Sequence, residues 1–575
     1  MSNEPVFSAW NPGIEADIPQ QYRHLETIYQ SGTTNNRFED ISELSRQTGL
    51  SPEELVEFPP SRLALHEVMI RVTADIFVRE GDTEENLGIN FRKIANTMMS
   101  DYVEPIMGEL EVTHVEMVQK ITDFTRQSLK AQFSPDQKKP QAPTFLQKIF
   151  GKAKPEKQVV SVIAREEREL NAITTFKNRG LEKKDPLEAA VYRSLYRVLS
   201  AVSATRGYLG HDIEFLVKIA TRHAANFHGS RLIGKRVESQ LRRAIEEGDY
   251  QYIPDAKKPI LISLKGASAA GKSSLRPRLQ EMIKSEGIEQ DGYGTISPDI
   301  WRRMLLDYDS LGNAFKYAGR LTSLEVNIID AKLDRYIRGK AQHRHSIPHL
   351  MVDRFRFDSF ASEKVSNVLH NTYVSYIDTM YMFFVITPPE ATVERGWIRG
   401  EDRGRYKSVE DFLGHCVEAY SGIPRLLFRY LDNPAPHFKF EFLDNSVALG
   451  EYPLMIARGT QGCMEIHDPI AFINIERYQK INILAKSPDQ VYPDSERLAI
   501  DKNISVLKKC LKKIRSVTFI DPGSEKIYVE SQRGKLSVVD PSLLESKLRD
   551  EQVRQIFQNL GLTEAKKEPK NDTTH

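Results

Sequence analysis

The feature that most constrains the fold is the stretch KGASAAGKSS at residues 265–274. It fits the pattern Gly-x-x-x-x-Gly-Lys-Ser/Thr, lies after the apolar, β-rich run PILISL and precedes the helical pattern SLRPRLQEMI. In such a strand–loop–helix unit, small residues let successive backbone N–H groups converge on a phosphate at the helix N-terminus. The stretch therefore predicts a nucleotide phosphate-binding loop in an α/β domain. The alternative is a small-residue turn that fits the pattern by chance.

Within this loop each residue has an expected contact with the nucleotide. The predicted phosphate-binding residues are Gly266, Ala267, Ser268, Ala269, Ala270, Gly271, Lys272, Ser273 and Ser274. Lys272 is expected to bridge the β- and γ-phosphates of ATP, and the hydroxyl of Ser273 is expected to ligate Mg²⁺. Pro277 falls early in the following helix, where the missing N–H of proline is tolerated.

An acidic residue, Asp299, stands at an apparent strand end in TISPDIWRR, residues 295–303. Ligands of parallel α/β sheets bind beyond the carboxyl ends of the strands, so Asp299 is expected to face the site. Its carboxylate could accept a proton from an attacking hydroxyl, unless Ser297 or Asp299 serves only as a helix cap. No Asn-Lys-x-Asp motif, which reads guanine, follows the loop, and a GTPase is therefore disfavoured.

A second acidic residue at a predicted strand end is Asp353, in MVDRFRFD at residues 351–358. Asp353 is expected to hold a magnesium-bound water and to lie near the substrate. Arg354 and Arg356 are predicted to orient the substrate. The competing interpretation of this cluster is a structural salt bridge.

Four arginines follow a predicted buried strand, in TPPEATVERGWIRGEDRGRY at residues 387–406: Arg395, Arg399, Arg403 and Arg405. Arginines on a helix followed by a glycine-containing bend suit a lid that closes over ATP and neutralises charge on the transferred phosphoryl group. The interleaved acids Glu394, Glu401 and Asp402 leave a second interpretation open, a salt-bridged surface helix.

The composition argues against several classes of protein. Lys plus Arg number 80 and Asp plus Glu 79, so the net charge of +1 gives no overall attraction to nucleic acid or an anionic membrane. Cys416, Cys463 and Cys510 fit neither a zinc site nor a disulfide framework, which indicates a reducing compartment. The N-terminus lacks the pattern of a signal peptide, and the run MYMFFVI is too short to cross a bilayer. A cytoplasmic protein is expected.

The periodicity of the sequence predicts a multidomain chain. Helical spacing of apolar residues recurs before the central α/β region, and a Pro/Lys-rich stretch interrupts it. The predicted regions are a helical domain at 1–133, a linker at 134–159, a helical bundle at 160–254, an α/β domain with a three-layer parallel sheet at 255–455, a small mixed α+β domain at 456–562, and a disordered tail at 563–575.

Residues of about 257 to 448 resemble the zeta-toxin family of P-loop kinases. The resemblance rests on GASAAGKSS, SPDIWRR, the strand ending in TPPE with the arginine series after it, and FEFLDNS. It implies phosphoryl transfer from ATP to a substrate hydroxyl, which in the toxins is the 3′-hydroxyl of a UDP-linked N-acetyl amino sugar. It also implies Lys272 as the phosphate-loop lysine, Asp299 as the general base, Arg395 with Arg403 or Arg405 as catalytic lid arginines, and Ser273 at Mg²⁺. Separately from the resemblance, Arg399 is expected to contact ATP and Asp353 to act with Ser273 at Mg²⁺.

The sequence departs from the family at Asp353-Arg354-Phe355, where an acid followed by Gly-Thr is typical. This motif is similar to the acid-arginine-aromatic motif of nucleotide kinases. The acceptor therefore stays open between a small hydroxylated metabolite, such as a UDP-amino sugar, and a nucleotide or polynucleotide. A different class of function, an ATP-gated interaction protein or secreted effector scaffold whose helical N-terminal regions hold a protein partner, also stays open.

Overall fold

The computed structural model describes residues 7–133, 165–354, 373–448 and 450–562. The predicted linker, the predicted tail and Arg356 lie outside these residues. The chain divides into two compact units. One comprises Met1–Tyr22, Met69–Asn96 and Ile245–His575, and the other comprises Arg23–Val68 and Thr97–Ala244.

The first unit is built on a ten-stranded sheet. Its strands are β1 Ile260–Gly266, β2 Tyr293–Ile296, β3 His349–Val352, β4 Thr379–Ile386, β5 His437–Asp444, β6 Leu454–Thr460, β7 Cys463–Ile466, β8 Ser516–Ile520, β9 Ile527–Gln532 and β10 Lys535–Val538. The spatial order is β10-β9-β8-β7-β6-β5-β4-β1-β3-β2. From β2 to β5 all neighbours are parallel, whereas β5 to β10 pair antiparallel except for β7 with β8.

Helices in the described residues connect and cover these strands or form the second unit. They are α1 Phe38–Thr48, α2 Pro52–Leu55, α3 Pro60–Asp75, α4 Glu84–Thr97, α5 Met107–Phe133, α6 Arg165–Glu182, α7 Pro186–Arg206, α8 Ile213–Ala224, α9 Ser230–Glu247, α10 Arg276–Ser285, α11 Arg302–Leu305, α12 Ala318–Leu321, α13 Ser323–Arg344, α14 Pro389–Arg403, α15 Val409–Leu431, α16 Pro469–Arg477, α17 Ser505–Lys513, α18 Pro541–Lys547 and α19 Glu551–Asn559.

The central strands are apolar because both of their faces are buried. In β4 every residue from Met380 to Ile386 is buried, and β1 is buried from Leu261 to Gly266. Continuous apolar runs are typical of parallel strands that helices cover on both sides. The predicted α/β class with a parallel sheet at its centre is confirmed by this arrangement.

The C-terminal strands extend the central sheet. β6 pairs antiparallel with β5, and β8 pairs antiparallel with β9. The mixed α+β region predicted after residue 455 therefore shares its hydrogen-bonded sheet with the region that carries the phosphate-loop motif. The domain boundaries drawn from the sequence stay predictions.

The second unit is helical, and local sequence signals explain several of its helix ends. Ser51 and Glu54 form a capping box at the start of α2. The Asp185 side chain accepts hydrogen bonds from two backbone N–H groups at the start of α7, and α7 ends at Gly207 in a left-handed conformation. In the described part of the chain, no helix combines the length and the apolar character needed to cross a membrane.

Candidate functional site

The phosphate-loop motif lies where the sequence analysis predicted it, at the carboxyl end of β1. Residues 267–271 form a tight loop, and Lys272–Leu275 begin the following helix as a 3-10 turn that continues into α10. Ala269 and Gly271 have φ of +60° and +86°. A Cβ at Gly271 would lie 2.0 Å from Nδ2 of Asn445. The second glycine of the motif is therefore required both for its backbone conformation and for space.

Two neighbouring strand ends hold the loop in place. The carbonyl oxygen of Ala270 accepts hydrogen bonds from Oγ1 of Thr387 at 3.0 Å and from Nδ2 of Asn445 at 2.7 Å. Thr387 follows β4 and Asn445 follows β5. Nζ of Lys272 donates to the carbonyl of Ala267 at 3.3 Å. The loop thus follows β1 and is hydrogen-bonded to residues at the carboxyl ends of two further parallel strands, β4 and β5. This is the edge at which such sheets bind ligands.

A cavity of about 420 Å³ opens beside this loop. Its lining includes loop residues from Ala269 to Ser274, acidic residues after β2 and β3, and arginines of α14 and the bend that follows it. The lining residues are Glu84, Ala269, Ala270, Gly271, Lys272, Ser273, Ser274, Asp299, Asp353, Arg395, Ile398, Arg399, Asp402, Arg403, Arg405, Asn445, Ala448, Gly450 and Glu451. Pockets of 300–1,000 Å³ are typical of small-molecule sites.

Asp299 lies in a 3-10 turn, Pro298–Trp301, directly after β2. Its carboxylate accepts a hydrogen bond from Nε of Arg302 at 2.8 Å and pairs with Nη2 of Arg405. Desolvation raises the pKa of Asp299, but Arg405 and Arg302 outweigh it and hold the pKa well below its usual range. Asp299 is therefore ionised at neutral pH, as a proton acceptor must be.

Asp353 follows β3, and its backbone N–H donates to the carbonyl of Ile296 at 2.9 Å. Burial raises the pKa of Asp353, and the nearby carboxylate of Glu84 adds to this rise, whereas Lys272 opposes it. A cation beside this carboxylate would stabilise its ionised form. Asp353, Lys272 and Ser273 all line the same cavity.

The arginines of α14 lie on the cavity wall. Nη2 of Arg395 donates to the carbonyl of Val447 at 2.6 Å, and Nε of Arg403 donates to Asp402 at 2.8 Å. Nη2 of Arg399 lies 3.4 Å from Oγ of Ser268 in the phosphate loop. Burial, together with the charge of Arg405, lowers the pKa of Arg399 to about 9. The buried Nε of Arg399 makes no hydrogen bond within the described residues.

Arg405 lies just beyond α14, which ends at Gly404 in a left-handed conformation with φ of +68°. Its guanidinium bridges two carboxylates: Nη1 donates to Oε2 of Glu84 at 2.8 Å, and Nη2 pairs with Asp299. Burial disfavours the charged form of Arg405, but the two carboxylates outweigh it and raise the pKa. The bend after α14 thereby places the fourth arginine of the series next to the predicted base.

Glu84 is a site residue that the sequence analysis missed. It begins α4, in the segment Met69–Asn96 that belongs to the same compact unit as the sheet. In the sequence it is one of two adjacent acids in the first turn of a helix. Acids at this position interact favourably with the helix dipole, so the presence of Glu84 does not by itself indicate a functional site. No local signal distinguishes it from Glu85, because only the tertiary structure brings it to Arg405.

Arg354 is not among the residues that line the cavity. Its guanidinium is buried, and it pairs with Asp330 at 2.5 Å and with Asp334 at 2.6 Å, both on α13. Oη of Tyr373 lies 3.2 Å from the same guanidinium. Of the acid-arginine-aromatic motif, the structure thus brings Asp353 to the cavity and places Arg354 in a buried ionic cluster, the competing interpretation raised for this stretch.

The arrangement has the parts that phosphoryl transfer needs. Backbone N–H groups and Lys272 can bind phosphate oxygens, Asp299 is held ionised at the cavity wall, and several guanidinium groups can neutralise negative charge. Every predicted catalytic residue lines one cavity: Lys272, Asp299, Arg395, Arg403 and Arg405.

Comparisons with known proteins give weak likenesses. No protein-family model matches the chain. No curated protein matches it either. Among solved structures, the chain is similar to AvrRxo1-ORF1:AvrRxo1-ORF2 with sulphate ions, at 14% identity and a TM-score of 0.30 over 46% of this chain and 73% of that one.

The AvrRxo1-ORF1:ORF2 complex was also solved with ATP, and there the match has 15% identity and a TM-score of 0.29 over 44% of this chain and 76% of that one. A structure from the PezAT chromosomal toxin–antitoxin system of Streptococcus pneumoniae matches at 15% identity and a TM-score of 0.27, over 48% of this chain and 96% of that one. These values describe a partial likeness.

Proposed function

We propose that this protein is an ATP-dependent phosphotransferase that transfers the γ-phosphate to a hydroxyl group of a small metabolite. The observation that supports this proposal best is the single cavity that joins the phosphate-loop motif, Asp299 and the arginines around α14. Each group lies at the carboxyl edge of the parallel strands. A small-residue turn that fits the loop motif by chance would not account for this convergence.

The loop and the α14 arginines would bind the triphosphate. The positive φ of Ala269 and Gly271 is the backbone conformation that turns successive N–H groups toward one point. The buried Nε of Arg399, which has no hydrogen-bond partner within the described residues, offers a further donor beside Ser268. An anionic ligand would satisfy this donor and restore the pKa that burial lowers.

The cavity also offers hard oxygen donors suited to Mg²⁺. Ser273 carries a hydroxyl at the loop, and Asp353 carries a carboxylate whose pKa is raised mainly by burial, so that a bound cation would stabilise its ionised form. Mg²⁺ accepts one or two such ligands and completes its coordination with water and phosphate oxygens. When bound, it would neutralise charge on the β- and γ-phosphates. We assign Ser273 and Asp353 to it.

In the transfer step the acceptor oxygen forms a bond to the γ-phosphorus, and the bond from that phosphorus to the β,γ-bridging oxygen breaks. The acceptor proton passes to the carboxylate of Asp299, and ADP leaves with the bonding electron pair. Lys272, Arg395 and Arg403 would neutralise the charge that spreads over the phosphoryl oxygens. The low pKa of Asp299 keeps its carboxylate ionised, so that it can align the acceptor hydroxyl and accept its proton as the transfer proceeds.

The acceptor proposed first is a small hydroxylated metabolite such as a UDP-amino sugar, and a nucleotide or polynucleotide end is the alternative. The cavity volume of about 420 Å³ suits a nucleotide with a small acceptor. Arg354, which the nucleotide-kinase alternative would place on the substrate, is instead paired with Asp330 and Asp334. This contact favours the metabolite.

The proposal can be tested by incubating the purified full-length chain with γ-labelled ATP and a panel of UDP-sugars, nucleotides, RNA ends and cell extract. We expect mass spectrometry to detect a phosphorylated acceptor. Lys272→Ala should lose both nucleotide binding and transfer, whereas Asp299→Asn should retain binding and lose transfer by about 100-fold or more. ATP binding with no acceptor would contradict the proposal, and transfer unchanged by Asp299→Asn would contradict the role given to Asp299.

A further inference from the structure

Glu84 contacts the candidate site although it lies far before the phosphate loop in the sequence. Its carboxylate accepts hydrogen bonds from Nη1 of Arg405 at 2.8 Å and from Oγ of Ser297 at 3.2 Å. The side chain is 12% exposed, and that of Arg405 is 20% exposed. Glu84 therefore contacts both the residue that pairs with Asp299 and the side chain of Ser297, which directly precedes the turn that carries Asp299.

The segment that carries Glu84 is fastened to the sheet at further points. Glu80 is buried, accepts from Nη1 of Arg276 at 3.2 Å, and also pairs with Oγ1 of Thr295 on β2. Nε1 of Trp301, in the turn that holds Asp299, donates to Oγ1 of Thr73 at 3.2 Å. These contacts flank Asp299 on both sides in the sequence, so Met69–Asn96 is held against the strand and turn that position the base.

The charges explain what Glu84 does there. Arg405 pairs with both Glu84 and Asp299. The charge of Asp299 is therefore neutralised less completely than it would be if Arg405 paired with Asp299 alone. Burial alone would raise the pKa of Glu84, but Arg405 attracts both acids strongly enough to lower that pKa as well. Without the charge of Glu84, the guanidinium of Arg405 would pair with Asp299 alone, which would weaken Asp299 as a proton acceptor.

We propose that Glu84 is a positioning residue for phosphoryl transfer, acting through Arg405, and that Met69–Asn96 is part of the catalytic site. This inference rests on the proposed function. It assigns a role to Met69–Asn96, which lies outside the part of the sequence that contains the phosphate loop, Asp299 and the arginine series. A kinase domain bounded at residues 255 and 455 would lack this carboxylate.

The test compares Glu84→Gln with Glu85→Gln in the full-length chain. Gln keeps the size of Glu84 and removes its charge, and its one amide oxygen can still accept a hydrogen bond from Arg405. Glu85 is its matched control, since it is adjacent on α4, 42% exposed, and paired instead with Arg92 at 2.9 Å. The probe is phosphate transfer from γ-labelled ATP to water and to the acceptor panel, measured as kcat and as KM for ATP.

We expect Glu84→Gln to lower kcat by about tenfold or more while KM for ATP changes by less than about threefold, and Glu85→Gln to change neither. A residue that affects only the stability of the fold would not lower kcat while leaving KM for ATP nearly unchanged. In a double-mutant cycle with Arg405→Gln, the double variant should be no slower than Arg405→Gln alone, because Glu84 acts through that guanidinium. Should Glu84→Gln fail to fold, Glu84→Asp, whose shorter side chain moves the charge away from Arg405, should show a smaller loss of kcat, again without a comparable change in KM for ATP.

The outcomes separate this inference from the proposed function. Transfer by the wild-type chain with an unchanged kcat in Glu84→Gln would overturn the role of Glu84 and leave the phosphotransferase intact. Multiplicative effects of the two substitutions in the cycle would show that Glu84 does not act through Arg405, which also overturns it. Absence of transfer by the wild-type chain, to water or to any acceptor, would overturn both.

Discussion

At the scale of single residues, the phosphate loop depends on one glycine more than on any other. Gly271 has φ of +86°, and a Cβ there would lie 2.0 Å from Nδ2 of Asn445, which itself holds the loop through Ala270. A side chain would therefore strain the backbone and displace a contact that shapes the site.

We expect Gly271→Ala to abolish the increase in melting temperature that ATP produces, and to destabilise the protein without ATP by about 1–2 kcal/mol. Gly414→Ala is a suitable control, since Gly414 lies within helix α15 and an added Cβ there would meet no atom within 4 Å. That control should keep its response to ATP. Thermal denaturation with and without ATP measures the response of both variants. If Gly271→Ala kept the increase in melting temperature, the loop would not be the ATP-binding element.

A second residue, Lys407, makes the stability of the protein depend on pH. Burial and the nearby charge of Arg399 lower its pKa to about 7, and its Nζ lies 3.3 Å from Nδ1 of His415. An unfolded lysine titrates near 10.4. Between the two values the unfolded chain binds the proton and the folded chain does not, so the contribution of Lys407 to stability rises with pH and is lost as pH falls toward 7.

Replacing Lys407 with Met should therefore flatten the rise of the free energy of unfolding between about pH 7 and pH 10. Lys512→Met, at an exposed position on α17, should leave that slope as it is. Denaturant unfolding at several pH values measures the slope. A slope in Lys407→Met equal to that of the wild type would contradict the assigned pKa.

At the scale of elements, Arg354 connects the end of β3 to α13. It is 3% exposed and pairs with Asp330 and Asp334. Removing one partner of a buried ionic cluster leaves uncompensated charge, which costs far more than breaking an exposed pair. The contacts of Arg354 thus explain its place in the fold without a ligand.

Arg354→Leu is expected to destabilise the protein by about 3–5 kcal/mol. The control is Arg458→Leu, because Arg458 pairs with Glu465 at 2.6 Å between β6 and β7 but is 54% exposed. Its loss should cost less than about 1 kcal/mol. Chemical denaturation compares the two, and a small cost for Arg354→Leu combined with a loss of acceptor binding would restore the substrate role predicted from the sequence.

At the scale of the whole molecule, the unit that holds the candidate site is discontinuous in sequence. Met69–Asn96 belongs to it, and so do the strands beyond residue 455 that continue the sheet. A fragment cut at the motif boundaries would expose an edge of β5 and leave the buried Arg276 without Glu80.

We therefore expect a fragment of residues 255–455 to be less soluble than the full chain and to show no cooperative thermal transition. The control is a chain that lacks only the predicted tail, residues 563–575, and so keeps Met69–Asn96 and β6 to β10; it should unfold cooperatively. Circular dichroism during heating distinguishes the two. A cooperative transition in the short fragment would show that the core does not need the segments outside it.

The sequence by itself determined the parts of this protein that depend on neighbours in the chain. The loop pattern after an apolar run, the acid after β2 and the apolar strand β4 were recognisable, since phosphate loops and buried strands follow local rules of backbone conformation and burial. Only the tertiary structure decided that Glu84 meets Arg405, that Arg354 pairs with α13, and that β6 to β10 extend the central sheet. Those contacts join residues far apart in sequence, and a charged side chain carries no local sign of the partner that will compensate it.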